Sequence, residues 1–132
     1  MEPSEQSRRW ETAQEHHRAA EQLRKEGFRQ ASASRSYYAC FQAMWVAIGD
    51  PPLGHWKHVG LMRTFSRGGW TGQLVLPATL TGIYKKLLTL YDLRLDADYR
   101  ALPIDPSKAQ EALDVSTKIL NFGSQHITLK TG

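Results

Sequence analysis

The chain has a single cysteine, Cys40, among its 132 residues. One thiol cannot form an intramolecular disulfide, so the sequence favours a reducing compartment. The segment 1–9 is polar and lacks the charged and then apolar parts of a secretory leader. No apolar run approaches the roughly 20 residues that a membrane-spanning helix needs. We therefore expect a cytoplasmic protein that does not contact a membrane.

Several catalytic and cofactor-binding signatures are also missing. The sequence has no nucleophile elbow, no phosphate-cradling glycine loop and no dinucleotide fingerprint. Its five histidines do not form a metal-ligand pattern. His55 and His58 have a suitable spacing, but a lysine lies between them and neither a cysteine nor a carboxylate adjoins them. We expect neither a metal nor a cofactor.

Strand signals are scarce. There is no sustained β alternation, no internal repeat and no low-complexity tract, and the apolar segment 74–80 carries Pro77 in its middle, which argues against a strand. Hydrophobic residues make up 41% of the chain, and four Trp, five Tyr and four Phe argue against disorder. We expect one globular domain over 1–132.

The charge balance is basic, with a formal net charge of +4 and a pI near 9.4. Such a balance permits contact with an acidic partner such as RNA. It does not establish one, because many basic proteins bind no nucleic acid.

The segment 34–49, SRSYYACFQAMWVAIG, is expected to form the central helix. A helix that is apolar around most of its girth is normally buried, with other helices on several sides. Three alanines keep parts of its surface narrow enough for close approach. One face at helical spacing carries Tyr37, Phe41, Met44 and Ile48.

The other helices are bounded by cap residues, glycines and proline-containing breaks. Together they predict an all-α fold, an up-and-down bundle of four long helices and one short helix. The expected elements are a first helix from the N-cap Ser4 to Gly27, a second from Phe28 to the break at 49–54, a short helix over roughly 58–66, a fourth from Pro77, a fifth opened by the capping box of Ser107 and Gln110, and a frayed tail over 124–132.

Arg94 and Asp98 are the leading candidates for a functional site. They are four residues apart on one helix face and extend an apolar stripe. One interpretation is structural: Asp98 forms a partly buried ion pair with Arg94, or with Arg35 on the neighbouring helix. The other makes Arg94 a preorganised phosphate ligand, with Arg35 as a second cation.

Tyr37 and Tyr38 differ by about 100° of helical rotation and cannot face the same neighbour. We expect one to lie in the core and the other at a cleft, where it could also stack on a base. His58 is the only histidine placed close to the aromatic helix by sequence. It is therefore a candidate for acid–base chemistry, alongside a simpler role as a cap or hydrogen-bond partner.

Two separated motifs resemble those of the HEPN domains. The segment 34–41 reads SRSYYACF, and the segment 94–99 reads RLDADY, with His58 between them. They match the group with an R-x-YYA-x-F helix and a late R-x-x-A-D-Y motif. The resemblance covers nearly the whole chain, in the right order.

This resemblance implies a bundle of four or five helices that usually forms a homodimer, with the late motif near the dimer cleft. It also implies a prokaryotic protein, often paired with a small nucleotidyltransferase in a toxin–antitoxin or related two-component system. Many HEPN proteins are metal-independent RNases with an Arg followed four to six residues later by a His. Here Tyr99 occupies the position of that His, and no His occurs over 94–121.

Tyrosine has an ordinary pKa near 10 and is a poor general base at neutral pH. We therefore expect a module that is not, or only weakly, catalytic. It would bind nucleotide or RNA, or dock a nucleotidyltransferase partner. The alternatives are an endoribonuclease in which Arg94 works with His58 or Tyr99, and a purely structural helical dimer. The expected ligand-binding residues are Arg35, Tyr38, Arg94, Asp98 and Tyr99.

Overall fold

The computed structural model describes the backbone of residues 1–131 and the side chains of residues 1–127. Over that range the chain is helical and has no strand, so the expected all-α class is confirmed. The elements are α1 (Pro3–Lys25), α2 (Arg29–Ile48), α3 (His58–Ser66), a 3-10 turn (Ala78–Leu80), α4 (Ile83–Asp98) and α5 (Pro106–Thr131).

Helix α2 lies at the centre and packs against each of the other four α-helices. Tyr37, Cys40 and Met44 are inaccessible to solvent, as expected for a helix with apolar residues around most of its girth. One connected core draws side chains from all five helices. The prediction that the other helices surround the segment 34–49 is confirmed.

The start of α1 differs from the sequence-based expectation. Glu2 is the N-cap and Pro3 lies in the first turn, so Ser4 is inside the helix and does not cap it. Proline suits this position because the first N–H groups of a helix have no intrahelical partner. The C-terminal end agrees with the prediction: Gly27 has a φ of +86°, and the Phe28 amide bonds back to the Leu23 carbonyl.

The region around α3 and α4 agrees in part. Helix α3 spans the predicted residues and buries Leu61, Met62 and Phe65. The predicted start of the fourth helix at Pro77 is wrong. Only the 3-10 turn follows Pro77; the chain then adopts a φ of +73° at Gly82, and α4 begins at Ile83. A left-handed residue cannot belong to a right-handed helix, which explains the later start.

Helix α5 is capped by Asp105 and not by the predicted pair of Ser107 and Gln110. The Asp105 carboxylate accepts hydrogen bonds from the Lys108 amide at 2.9 Å and from the Ser107 hydroxyl at 2.7 Å. Asp105, two residues before the predicted Ser107, is thus the N-cap of α5. The helix continues to Thr131, whereas we expected fraying beyond Gly123; residue 132 lies outside the described residues.

Cys40 is fully buried in α2, and burial raises the pKa of its thiol. It therefore acts as a small apolar packing group.

In the part of the chain that the structure describes, none of the helices combines the length and hydrophobicity needed to cross a bilayer.

Candidate functional site

Arg94 lies near the C-terminal end of α4 and is only 4% exposed. Its side chain turns towards α2. Among residues 1–127 it forms no ion pair with any carboxylate, and its buried Nε has no hydrogen-bond partner there. A buried charge without a counter-charge is costly, so such groups are normally paired. Arg94 departs from this rule, because no carboxylate among the described residues balances its charge.

Of the two interpretations, the structural one is not supported: Asp98 forms an ion pair neither with Arg94 nor with Arg35. Asp98 is exposed at the last residue of α4 and accepts a hydrogen bond from the Ser34 hydroxyl at 3.1 Å. The carboxylate therefore connects the end of α4 to α2 and leaves the guanidinium uncompensated.

Four tyrosine rings surround the Arg94 guanidinium. Its Cζ lies between 5.1 and 5.7 Å from each ring centroid, within range of cation–π attraction. Nη1 also donates a hydrogen bond to the Tyr38 hydroxyl at 3.3 Å. We call this group, with its central arginine, the Arg94 cluster: Arg94, Tyr37, Tyr38, Tyr91 and Tyr99.

The guanidinium is charged, because arginine does not lose its proton in proteins. Burial works against the charge, yet the pKa of Arg94 beside Tyr38, Tyr37 and Tyr99 is raised and not lowered. Cation–π contacts contribute about 0.5–2 kcal/mol each, whereas desolvating an ion costs several kcal/mol. Four rings together can offset much of that cost, but they accept few of the five N–H donors of a guanidinium. The Nε donor has no partner among the described residues. The site retains capacity for an anion.

His58, the first residue of α3, adjoins the cluster. The Tyr37 hydroxyl and Nδ1 of His58 share a hydrogen bond, and the His58 ring lies 5.5 Å from the ring of Tyr91. Burial, and then the charge of Arg94, lower the pKa of His58. The imidazole is therefore neutral at pH 7, the form in which it can accept a proton.

At the border of the cluster, Arg35 and Tyr38 both contact His16, which sequence analysis did not assign to the site. Nη1 of Arg35 lies 3.1 Å from Nδ1 of His16, whose ring lies 5.9 Å from that of Tyr38. Tyr38 is half-buried and Tyr37 is fully buried, so the expectation that one of them lies in the core is confirmed. The expectation that they cannot face the same neighbour is wrong, because both rings lie over the Arg94 guanidinium.

Tyr99 gives the cluster its opening to solvent. It follows the last residue of α4, and its side chain is 73% exposed although its ring lies over Arg94. Tyr99 is therefore the most exposed member of the cluster.

The structure brings Tyr38, Arg94 and Tyr99 together, with Arg35, Asp98 and His58 around them. Sequence reasoning did not assign Tyr37 and Tyr91 to the site. The spacing of Tyr91, three residues before Arg94 on one helix face, was the available signal. In the described residues no three His, Cys, Asp or Glu side chains converge as a metal site would require.

A separate groove of about 380 Å³ lies between α4 and α5, and none of the Arg94 cluster lines it. Its floor includes Leu90 and Val115. At its rim the Lys86 and Lys118 ammonium groups are close enough to lower the pKa of Lys86. Two of its lysines, Lys85 and Lys86, are exposed, and Lys118 is half-buried. The unpaired buried charge is the stronger sign of a site.

The arrangement can neutralise an anion and present aromatic rings beside it. The motifs 34–41 and 94–99 lie on packed helices and supply most of the cluster.

In comparisons with known proteins, no family model and no curated protein matches this chain.

Proposed function

We propose that the protein is a HEPN-type helical module that binds a phosphate-bearing ligand, a nucleotide or RNA, at the Arg94 cluster. One observation carries the proposal: Arg94 is buried and charged, without a carboxylate partner among the described residues. A bound phosphate supplies the missing counter-charge.

Phosphate suits the site chemically. A guanidinium presents a planar fork of donors that can bind two phosphate oxygens at once. The unpartnered Nε is one arm of that fork. Arg35 stands at the border as a second cation, and the rings of Tyr38 and Tyr99 offer surfaces on which a base can stack.

The resemblance adds the cellular setting to this proposal. It favours a homodimer that works with a nucleotidyltransferase partner in a two-component system of the toxin–antitoxin kind. The exposed Tyr99 at the mouth of the cluster is accessible to such a partner.

An endoribonuclease is the second candidate, favoured by the neutral His58 next to the cluster. His58 or Tyr99 would accept the proton of an RNA 2′-hydroxyl while the 2′-oxygen attacks the adjacent phosphorus. The 5′-oxygen then leaves with a proton returned to it, giving a 2′,3′-cyclic phosphate. Arg94 would stabilise the charge that develops on the phosphate oxygens. This reaction needs no metal.

The test uses Arg94→Met, which removes the charge and keeps much of the side-chain volume. Arg100→Met is the matched control, because Arg100 is exposed and paired with Asp92 and Asp96. We expect Arg94→Met to weaken binding of a fluorescent RNA oligonucleotide by roughly ten- to 150-fold, the value of charge-assisted hydrogen bonds. Arg100→Met should have a much smaller effect.

Equal binding by both variants would contradict the phosphate site and favour a purely structural dimer. Metal-free incubation with RNA then separates the two candidates. Discrete cleavage products that disappear in Arg94→Met and His58→Ala would identify the ribonuclease. Binding without cleavage would identify the binding module.

A further inference from the structure

Two tryptophans form a stacked pair at the C-terminal end of α2. The ring centroids of Trp56 and Trp70 are 4.9 Å apart, with 22° between the planes. The indole N–H of Trp56 donates to the Gly49 carbonyl at 2.8 Å, which fixes this ring at the end of the helix. Trp70 remains 50% exposed, although one of its faces covers Trp56. Its other face is available to a planar group.

The loop that carries Trp70 has a defined conformation. Gly68 has a φ of +91°, and a Cβ at this position would lie 2.8 Å from the Leu74 carbonyl oxygen. Backbone hydrogen bonds from the Leu74 amide to the Gly68 carbonyl and from the Gly69 amide to the Thr64 carbonyl close the loop on both sides. Trp70 is thus presented by an ordered turn.

The segment that carries the pair is basic, although Asp50 directly precedes it. From Pro51 to Tyr91 the sequence contains no Asp or Glu, but five Lys and Arg residues. Three of these, Lys57, Arg63 and Arg67, are exposed on the segment between the two tryptophans. Cations interleaved with exposed aromatic rings are the usual footprint of single-stranded nucleic acid, since the cations contact phosphates and the rings stack on bases.

The tryptophan pair and the Arg94 cluster are separated along α2. Tyr38, the hydrogen-bond partner of Arg94, lies eleven residues before Gly49, the anchor of Trp56. At 1.5 Å per residue this is about 16 Å along the helix. A single nucleotide cannot span this distance. About five stacked nucleotides can, at roughly 3.4 Å each.

We infer that the ligand of this protein is a single-stranded nucleic acid, one phosphate of which binds at Arg94 while a base several nucleotides away stacks on Trp70. This inference rests on the proposed phosphate site and names its ligand class. It assigns a base-binding role to Trp70, with Trp56 as the support that holds its ring.

The experiment measures fluorescence anisotropy with a labelled ten-nucleotide RNA, an abasic strand of the same length and a dinucleotide. Trp70→Ala should weaken binding of the ten-nucleotide RNA roughly five- to 150-fold, as the loss of one base–aromatic stack does. It should leave binding of the abasic strand and the dinucleotide unchanged. Trp70→Phe should largely restore the affinity. Leu53→Ala is the matched control, because it removes an exposed apolar side chain of the same region, 89% exposed, without removing a ring.

Trp70→Leu keeps an apolar side chain and is used in the same assay, with thermal melting of every variant, in case Trp70→Ala does not fold. If folded Trp70 variants bind the ten-nucleotide RNA as the wild type does, while Arg94→Met does not, the stacking role is overturned and the phosphate site stands. If the wild type binds none of the three probes, the phosphate site and the stacking role are both overturned.

Discussion

The hydroxyl of Tyr37 and Nδ1 of His58 share a hydrogen bond that joins the middle of α2 to the first residue of α3. The N-cap residue of α3, Lys57, makes no side-chain cap. The Tyr37 hydroxyl thus adds a polar contact at the start of α3 to the packing of Leu61, Met62 and Phe65. Burial raises the pKa of that hydroxyl, so it stays protonated.

Tyr37→Phe should destabilise the protein by about 1–2 kcal/mol, because it keeps the ring and leaves His58 without its partner. Urea denaturation measures the change. Tyr84→Phe is the control: Tyr84 is half-buried, and its hydroxyl forms no hydrogen bond within the described residues. The same loss in both variants would show that the hydrogen bond contributes nothing specific.

Arg94→Met should leave the free energy of unfolding unchanged or raise it by about 1–2 kcal/mol. Replacing a buried ion by an apolar side chain of similar volume is often neutral or stabilising. Here no carboxylate within the described residues would be left unpaired. Thermal melting without ligand measures this. A loss of about 3 kcal/mol would instead mean that Arg94 holds the bundle together, as a structural ion pair would.

The fold was largely predictable, because the apolar pattern of 34–49 and the breaks that follow it dictate which segments are buried helices. The caps were less predictable. Ser4 and Ser107 have suitable side chains, but Glu2 and Asp105 occupy the N-cap positions. A cap is decided by competition among neighbouring residues, and periodicity does not record that competition.

The candidate site was predictable only in part. Helical spacing placed Arg94 and Asp98 on one face, which left an ion pair and a phosphate ligand as two open interpretations. The direction of each side chain depends on the groups that the neighbouring helix presents. The Ser34 hydroxyl hydrogen-bonds to Asp98, and the Tyr37 ring contacts the Arg94 guanidinium. Contacts between helices of this kind involve residues more than fifty positions apart, and a single sequence does not reveal them.

Stability should fall as the pH is lowered below about 6.5. The pKa values of His58, His16 and His17 are all lowered in the folded protein, chiefly by burial. The unfolded chain therefore takes up more protons than the folded one over that range, and protonation favours unfolding. Above the ordinary histidine pKa, all three residues are neutral in both states and this effect disappears.

Urea midpoints at pH 7.5 and pH 5.5 measure the change. His58→Gln should lose less stability than the wild type between the two pH values, because it removes one of the three groups. His55→Gln, at an exposed histidine, is the control and should behave as the wild type does. A wild type that is equally stable at both pH values would contradict the burial of these imidazoles.

Two helical glycines should respond to alanine in opposite directions. Gly60 in α3 has open space around its Cα, with no described atom within 4 Å of an added Cβ. Alanine is the better helix former by about 1 kcal/mol, so Gly60→Ala should stabilise the protein by up to that amount. At Gly123 in α5, an added Cβ would lie 2.9 Å from Cζ3 of Trp10.

The Trp10 ring is half-buried between α1 and α5, and it would have to move to admit the methyl group. Overpacking of this kind costs about 1–3 kcal/mol, which exceeds the gain in helix propensity, so Gly123→Ala should destabilise. Thermal melting of the two variants tests the pair. Stabilisation by both would mean that α5 can shift away from α1 at little cost, and that the close approach at Trp10 does not fix the position of α5.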